Sequence, residues 1–318
     1  MFKDMLENFF YSSIRAIFGS SLNLFGMWNS FLNVAFYLIL VVSILGTVGN
    51  GLVLWFLGFR IRKGPLTVYL LHLALADFLY LACQVGFLVE ELVRGSRNWL
   101  YTAITFLFFA EGLWLLLAFN VELCLSAFLP SCYKSCRPRH TSWLVCILIW
   151  GLTMPVVLLP AKACGLLNSY MNLKTCLPHH MAGVTTLSLM ALSILVTSMM
   201  LSFLTNCCPQ AELPRLRGVA QSFSFLFLFL GMPNLLCWAL QRLLDYLLPI
   251  VSPITALLAC IFCSLRPLIY FLMGRQPGSC LAPGAMLQRA LGEEVPQRSI
   301  NQRSINFGLP MKLLRRRT

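Results

Sequence analysis

The sequence has 318 residues, of which 58% are hydrophobic and 11% are charged, and its formal net charge is +13. A soluble domain has about 25% charged residues, so this composition excludes an ordinary soluble domain and indicates a membrane protein. Nucleic acid is not an expected partner, because basic loops beside a membrane and their attraction to anionic lipid explain the positive charge.

Seven mainly apolar stretches follow one another along the chain, each long enough to cross a bilayer as a helix of about 20 residues. They cover residues 31–58, 66–92, 100–129, 142–161, 181–205, 219–240 and 250–273. They lack the short alternating pattern of barrel strands, and the two halves of the chain do not repeat as in many transporters. We therefore predict an all-α membrane protein, with a seven-transmembrane helix bundle over residues 31–273.

Basic residues predict the orientation, because cytosolic loops carry an excess of lysine and arginine. Sixteen of the 24 such residues lie on one side of the predicted membrane, at 60–63, 134–139, 215–217 and 275–318. The prediction is an extracellular N-terminal tail, residues 1–30, and a cytosolic tail, residues 274–318. The cytosolic tail is polar and basic, so we expect it to be largely disordered and held near membrane lipids.

Two features stand out in the predicted cytosolic tail. The stretch GAMLQRALGE, residues 284–293, groups its apolar residues at helical spacing and predicts a short amphipathic helix. Cys280, just after the last span, is a weak candidate for palmitoylation.

The predicted topology sorts the 13 cysteines. Most lie within spans or face the cytosol, where thiols stay reduced. Cys164 and Cys176 alone lie outside, so we predict a disulfide between them that joins the ends of the fourth and fifth spans. Two free thiols at the mouth of the bundle are the alternative.

Four ionisable residues lie inside predicted spans, where each costs about 2.5–3.5 kcal/mol at a helix centre. We expect Asp77 in the second span to form an ion pair, with bidentate geometry, with Arg266 in the seventh. The alternative is that Arg266 extends its side chain to the cytosolic headgroups. Glu122, near the cytosolic end of the third span, fits a solvated position there as well as a position inside the bundle. Glu111, three turns before it, fits a protonated and hydrogen-bonded carboxyl without an identified partner.

The order of several short motifs resembles that of class A, or rhodopsin-like, G-protein-coupled receptors. They are GTVGN with Asn50, LALAD with Asp77, LIWGLTMP with Trp150, FLFLGMP with Phe227 and Pro233, and RPLIY with Pro267 and Tyr270. Within this class, the segments KGPLTVYLLHLALADFLYL, CRPRHTSWLVCILIW and FLMGRQPGSC resemble the Mas-related receptors. That family links the ends of the fourth and fifth spans by a disulfide, in agreement with the pair Cys164 and Cys176.

The resemblance implies a multi-pass receptor of the plasma membrane rather than an enzyme, with no cofactor and no metal. It implies an unknown extracellular peptide or small-molecule ligand, a heterotrimeric G protein and an arrestin as partners, and a sensory role in nociceptive or itch neurons. Candidate ligand-binding residues at the extracellular end are Trp99, Tyr101, Thr105, Lys162, His179, His180, Trp238 and Gln241. Anchoring at the lipid interface is the alternative for Trp99 and Trp238.

Charge near the predicted disulfide bears on the ligand class. Several Mas-related receptors bind cationic ligands through carboxylates that flank the two loop cysteines, and this chain has Pro160 and His180 at those places. A strongly cationic ligand is therefore less expected than for those relatives, which leaves a neutral or anionic ligand open, although Glu90, Glu91 and Asp245 still offer acid at the rim.

Three positions depart from the class A pattern. The third span ends in Glu122-Leu123-Cys124, so the arginine that contacts the G protein in this class is absent. Gly231 replaces the tryptophan of the sixth-span switch region, which also contains Phe227 and Pro233. Arg266 replaces an asparagine that helps the residue at the position of Asp77 to bind sodium. We hypothesise that Arg266 is a built-in counter-ion, part of a polar network with Asn50, Asp77 and Tyr270.

The lost third-span arginine leaves two functions open. The first is a receptor that signals to G proteins. The second is a non-signalling seven-helix protein, such as a decoy, a scaffold or a dimerisation partner.

Overall fold

The apolar stretches form seven long helices in a computed structural model of the chain, which describes residues 30–61, 64–96, 98, 100–138, 140–165, 173–207, 214–240, 251–275 and 282–292. The seven spans are Ser30–Arg60, Pro65–Arg94, Tyr101–Phe128, Thr141–Ala163, Leu173–Cys207, Arg215–Ala239 and Val251–Gly274. Each is long and apolar enough to cross a membrane. The predicted fold class is confirmed, and no strand occurs within the described ranges.

The second span shows how local sequence sets the helix ends. It begins with Pro65 at its first helical position, where the missing backbone N–H would have no partner in any case. It ends at Gly95, whose positive φ of 68° lets its backbone N–H bond to the carbonyl of Glu91 at 2.8 Å. The helix is thereby slightly longer than the predicted stretch 66–92.

The third span lies at the centre of the bundle. In its most apolar window 67% of the residues are buried, against 22% for the first span. It packs against the second, fourth, fifth and sixth spans. Side chains at both of its ends therefore point into the bundle, which places Thr105 near one end and Leu123 near the other in the interior.

The sixth span changes its hydrogen-bonding pattern halfway along. It is an α-helix over Pro214–Leu226, makes a π-helical turn over Phe227–Gly231, and continues as an α-helix over Met232–Ala239. Pro233 lacks a backbone N–H, so the regular ladder is interrupted here, and π turns of this kind often mark functional sites. A Cβ added to Gly231 would lie 2.8 Å from Cδ2 of Phe227, so a larger residue there would displace that ring.

A short helix over Pro283–Ala290 packs against the end of the seventh span. Leu287 and Ala290 are fully buried on its inner face. Gly274 allows the close approach, since a Cβ there would lie 1.8 Å from the carbonyl oxygen of Met286. This helix coincides with the stretch predicted to be amphipathic. The tail segments 1–29 and 293–318 lie outside the described residues, as does Cys280, so their predicted roles stay predictions.

Candidate functional site

Arg266 is held in the middle of the bundle by Asp77. Its Nη1 atom donates to both carboxylate oxygens, at 2.7 and 2.8 Å, and both residues are at most 2% exposed. The Arg266 side chain therefore lies in the interior and does not extend to the headgroups. The contact differs from the expected bidentate geometry, because a single nitrogen serves both oxygens.

Aromatic rings complete the surroundings of the guanidinium. The Cζ atom of Arg266 lies 4.2 Å from the ring centroid of Phe262 and 5.6 Å from that of Phe223. Its Nε and Nη2 atoms have no hydrogen-bond partner among the described residues. The third span packs directly on the pair at Gly112. A Cβ added to Gly112 would lie 3.6 Å from Nη1 of Arg266 and 3.6 Å from Oδ1 of Asp77. The cation is thus stabilised by one carboxylate and one close ring.

Asn50 and Tyr270 lie around the pair, and neither forms a hydrogen bond with it within the described part of the chain. The Asn50 amide donates to the carbonyls of Gly46 and Cys263, at 3.0 and 3.2 Å, and so ties the first span to the seventh. Tyr270 is 2% exposed and packs edge-on against Phe223, with ring centroids 5.3 Å apart. Both residues position the helices that hold the pair.

A small polar cavity of about 50 Å³ lies at the end of the bundle that carries the two loop cysteines. Its lining is rich in hydroxyl and amide groups: Tyr80, Gln84, Tyr101, Thr102, Thr105, Phe106, Asn234, Cys237, Trp238, Ser252, Thr255 and Ala256. Sites for drug-sized ligands measure about 300–1,000 Å³. The cavity is therefore closed in this conformation, and a ligand of more than a few atoms needs a wall to move.

Trp238 forms part of the cavity wall and packs against two other rings. It stacks on Phe106 at 4.4 Å with the two ring planes 3° apart. The ring of His180 lies 5.5 Å away on another side, and its Nε2 donates to the carbonyl of Ala239 at 3.0 Å. Trp238 thereby connects the sixth span, the third span and the start of the fifth.

The structure brings together three of the eight predicted ligand-binding residues, Tyr101, Thr105 and Trp238, in the wall of the cavity. His180 lies behind Trp238. Lys162 and His179 are exposed and are not among the lining residues, because their helices turn these positions away from the bundle axis. Trp99 and Gln241 lie outside the described residues.

The acids at the rim do not reach this cavity. Glu90 forms a salt bridge with Arg94 at 2.8 Å and accepts from the Asn98 amide at 3.0 and 3.1 Å. Asp245 lies outside the described residues. The described lining therefore carries hydrogen-bonding groups and no formal charge.

The predicted disulfide is confirmed. Cys164, just after the fourth span, is bonded to Cys176 in the first turns of the fifth, with a sequence separation of 12. The bond fixes the start of the fifth span, which carries His180, beside the cavity wall.

At the opposite end of the bundle, Glu122 is buried and paired, and the solvated alternative is wrong. Its carboxylate is in contact with Arg137 Nε at 2.5 Å and accepts from the hydroxyls of Tyr133 at 2.7 Å and Tyr69 at 3.4 Å. Arg137 also donates to Ser142 at 2.5 Å. Burial raises the pKa of the Tyr133 hydroxyl, and Glu122 raises it further, so Tyr133 stays a proton donor. A loop arginine thus neutralises the glutamate.

Leu123 occupies the place of the missing arginine and is 1% exposed. Cys124 donates its thiol to the carbonyl of Thr197 in the fifth span at 3.7 Å. The facing part of the sixth span carries Arg217, which is 3% exposed and within electrostatic range of Cys124. Sequence reasoning had counted Arg137 and Arg217 only as topological charges. The glutamate near Arg137 in sequence was the available signal for the first, and none was evident for the second.

Glu111 is 1% exposed and lies near the hydroxyl of Thr153 in the fourth span, a neighbour that the sequence did not indicate. The Thr153 hydroxyl donates to the carbonyl of Ile149 at 2.9 Å, and the Oε1 atom of Glu111 has no hydrogen-bond partner in the described residues.

No family model matches the chain. The human Mas-related G-protein coupled receptor member G is 48% identical to it over 291 residues, which are 92% of this chain and 99% of that protein. The chain belongs to the Mas-related G-protein coupled receptors. The rat member G is 47% identical over 274 residues, 86% of this chain and 94% of that protein. The human member E is 31% identical over 284 residues, 86% and 91% of the two chains.

Membership of this family identifies the protein as a G-protein-coupled receptor and not an enzyme. With its seven spans, it is a multi-pass protein of the plasma membrane. The polar cavity, the buried ion pair and the Glu122 cluster are therefore three sites of a receptor bundle.

Proposed function

We propose that this receptor binds a small, uncharged, hydrogen-bonding ligand, either a peptide end or a small molecule, in the cavity lined by Tyr101, Thr105 and Trp238. The N-terminus and this cavity face outside, in accord with the basic residues clustered at the other end. The observation that carries the proposal is the uncharged polar lining: buried donors and acceptors select a ligand that satisfies them and disfavour an ion without a counter-charge.

A continuous series of ring contacts leads from the cavity to the ion pair. Trp238 stacks on Phe106, which lies 6.0 Å from Phe109, and Phe109 lies 6.2 Å from Phe262. Phe262 is the ring beside the Arg266 guanidinium. Displacement of Trp238 by a ligand would release this stack and favour a second arrangement of the helices.

The sixth span is the element that changes between the two arrangements. Its π turn and Pro233 interrupt the regular backbone ladder one turn before Trp238. Phe227, in the π turn, lies 6.3 Å from Phe262. The end of this span beside Leu123 then moves outward and admits a heterotrimeric G protein. Arrestin would use the same face, and a role in sensory neurons rests on family resemblance.

A ligand screen tests the cavity. Small neutral molecules and short peptides are screened for G-protein dissociation in cells that express the native chain, and hits are repeated on Tyr101→Phe and Trp238→Ala at matched surface levels. Lys162→Ala is the matched control, because Lys162 is exposed near the same end. We expect a loss of potency of about tenfold for Tyr101→Phe, as for one lost hydrogen bond in a dry site, and none for the control. Equal potency on all variants would place the ligand elsewhere.

A non-signalling role is the second candidate, and the buried Leu123 is the observation that favours it. Basal and evoked dissociation of a panel of G proteins is compared for the native chain and Leu123→Arg. Signal from the native chain supports the receptor that signals. A silent native chain with a responding variant supports a decoy, scaffold or dimerisation partner.

A further inference from the structure

Arg217 is a buried cation for which the described residues provide no counter-charge. It is 3% exposed, and its Nε atom has no hydrogen-bond partner in the part of the chain that the structure describes. The one acid at this end of the third span, Glu122, is already held by Arg137. Burying an ion costs several kcal/mol unless a partner repays it. Among the described residues, the buried charge of Arg217 is therefore uncompensated.

The position in the helix adds to this cost. Arg217 lies in the first turn of the helix Pro214–Leu226, where the exposed backbone N–H groups give the helix end a partial positive charge. A cation is disfavoured there, whereas the last turn of a helix would favour it. Membrane topology explains a basic residue at this end of the span, but the described contacts and the helix dipole do not favour its burial.

The register between two spans shows where Arg217 points. Asn120 in the third span donates to the hydroxyl of Ser224 in the sixth at 2.9 Å, which fixes the two helices against each other. Arg217 is seven residues, two turns, from Ser224 on the same face, and Cys124 is one turn from Asn120. The guanidinium consequently lies in the seam between the third and sixth spans, next to the place that Leu123 and Cys124 occupy.

We propose that Arg217 supplies from the sixth span the guanidinium that the third span lacks, and that it binds carbonyl or carboxylate oxygens of the G protein when the seam opens. The inference rests on the proposed G-protein coupling. A guanidinium offers five donors and suits an acidic or carbonyl-rich segment. Outward movement of the sixth span exposes Arg217 in step with the opening, so its binding capacity appears in the active arrangement.

Direct binding tests this role. The purified native receptor, in nanodiscs of phosphatidylcholine and phosphatidylserine, is titrated with nucleotide-free heterotrimeric G protein. The same titration is made with Arg217→Gln, which removes the charge, and Arg217→Lys, which keeps it. Arg215→Gln is the matched control, since Arg215 is an exposed arginine two residues away and the change in net charge is identical.

We expect Arg217→Gln to bind about tenfold more weakly, as for one charge-assisted hydrogen bond. Arg217→Lys should keep most of the affinity, and the control all of it. The double variant Leu123→Arg with Arg217→Gln should recover binding. Arg217→Gln should also melt no lower than the native receptor, because an uncompensated buried charge has been removed. A merely structural arginine would give the opposite, a lower melting temperature.

Two results would refute the inference, and only one of them would also refute the proposed G-protein coupling. Equal binding by the native chain and Arg217→Gln refutes the role of Arg217 and leaves G-protein coupling intact. No binding by the native chain refutes both.

Discussion

Replacing Asp77 by asparagine removes the counter-charge of a guanidinium that the bundle buries almost completely. In the native chain Nη1 of Arg266 contacts both carboxylate oxygens, at 2.7 and 2.8 Å. The Phe262 ring is already in place, so it offsets none of the loss in the variant. Removing one member of a buried ion pair costs about 3–5 kcal/mol, and we expect Asp77→Asn to lose stability of that order.

Thermal unfolding of the purified receptor in detergent micelles measures this loss. Glu111→Gln is the matched control: it removes a second carboxyl that is buried in a span, but one that lies near the Thr153 hydroxyl and forms no ion pair with a described residue. The double variant Asp77→Leu with Arg266→Met should stay close to the native receptor, because apolar replacement of a whole buried pair is often neutral or stabilising. If Asp77→Asn has the same melting temperature as the native receptor, the pair does not stabilise the bundle.

Sodium provides the second arm of this test. A built-in guanidinium leaves no need for the ion, so the native receptor should melt equally in sodium chloride and in choline chloride at about 0.15 M ionic strength. Arg266→Asn restores the usual class A residue, and sodium should then stabilise by about 1.4 kcal/mol if its concentration is about ten times Kd. Stabilisation of the native receptor by sodium would refute the counter-ion hypothesis.

Three further variants test other contacts. Arg137→Ala leaves the buried Glu122 carboxylate without its cation, so we expect a lower melting temperature and raised basal G-protein dissociation; an unchanged basal signal would show that the contact does not restrain the receptor. Gly274→Ala forces a Cβ against the Met286 carbonyl, so the tail helix should detach, seen as faster proteolysis after the seventh span than in the native chain. Cys176→Ser removes a bond that contributes on the order of 3 kcal/mol, and surface expression should fall unless the loop is held by other contacts.

The sequence allowed prediction of the spans and of the central ion pair, because both follow from the cost of polar groups in lipid. Hydropathy is a local property, so it located each span to within a few residues except the start of the fifth. That helix begins at Leu173, about two turns before the predicted 181, since the polar residues around Pro178 and His179 lower its apolar signal. Asp77 and Arg266 were predicted to pair because each charge needs a partner inside the bundle, provided that the second and seventh spans are neighbours. The one-nitrogen contact could not be predicted, because it depends on side-chain packing.

The two ends of the bundle were harder to predict, because their geometry depends on how loops return to it. Arg137 reaches Glu122 only through the short helix Pro130–Cys136, which turns the loop beneath the third span. Lys162 was predicted to line the ligand site because it lies at the extracellular end of the bundle, but the helix turns it outward. Tyr101 lines the cavity because the third span is central. Location at the extracellular end of the bundle was therefore a weaker predictor of the cavity lining than the burial of the helix that carries the residue.

Leu123→Arg should destabilise the receptor, because the cytosolic end of the third span already has two arginines beside it, Arg137 and Arg217. Arg137 holds Glu122, so a new guanidinium at 123 finds no free carboxylate beside it, and Arg217 lies across the seam within electrostatic range of the next residue, Cys124. Two like charges about 4 Å apart repel by about 4 kcal/mol at an effective dielectric constant of 20. We therefore expect Leu123→Arg alone to lower the melting temperature and Arg217→Gln to restore it in the double variant. Additive effects of the two substitutions would mean that the two positions do not share one seam, and that the arginine on the sixth span is not a replacement for the one on the third.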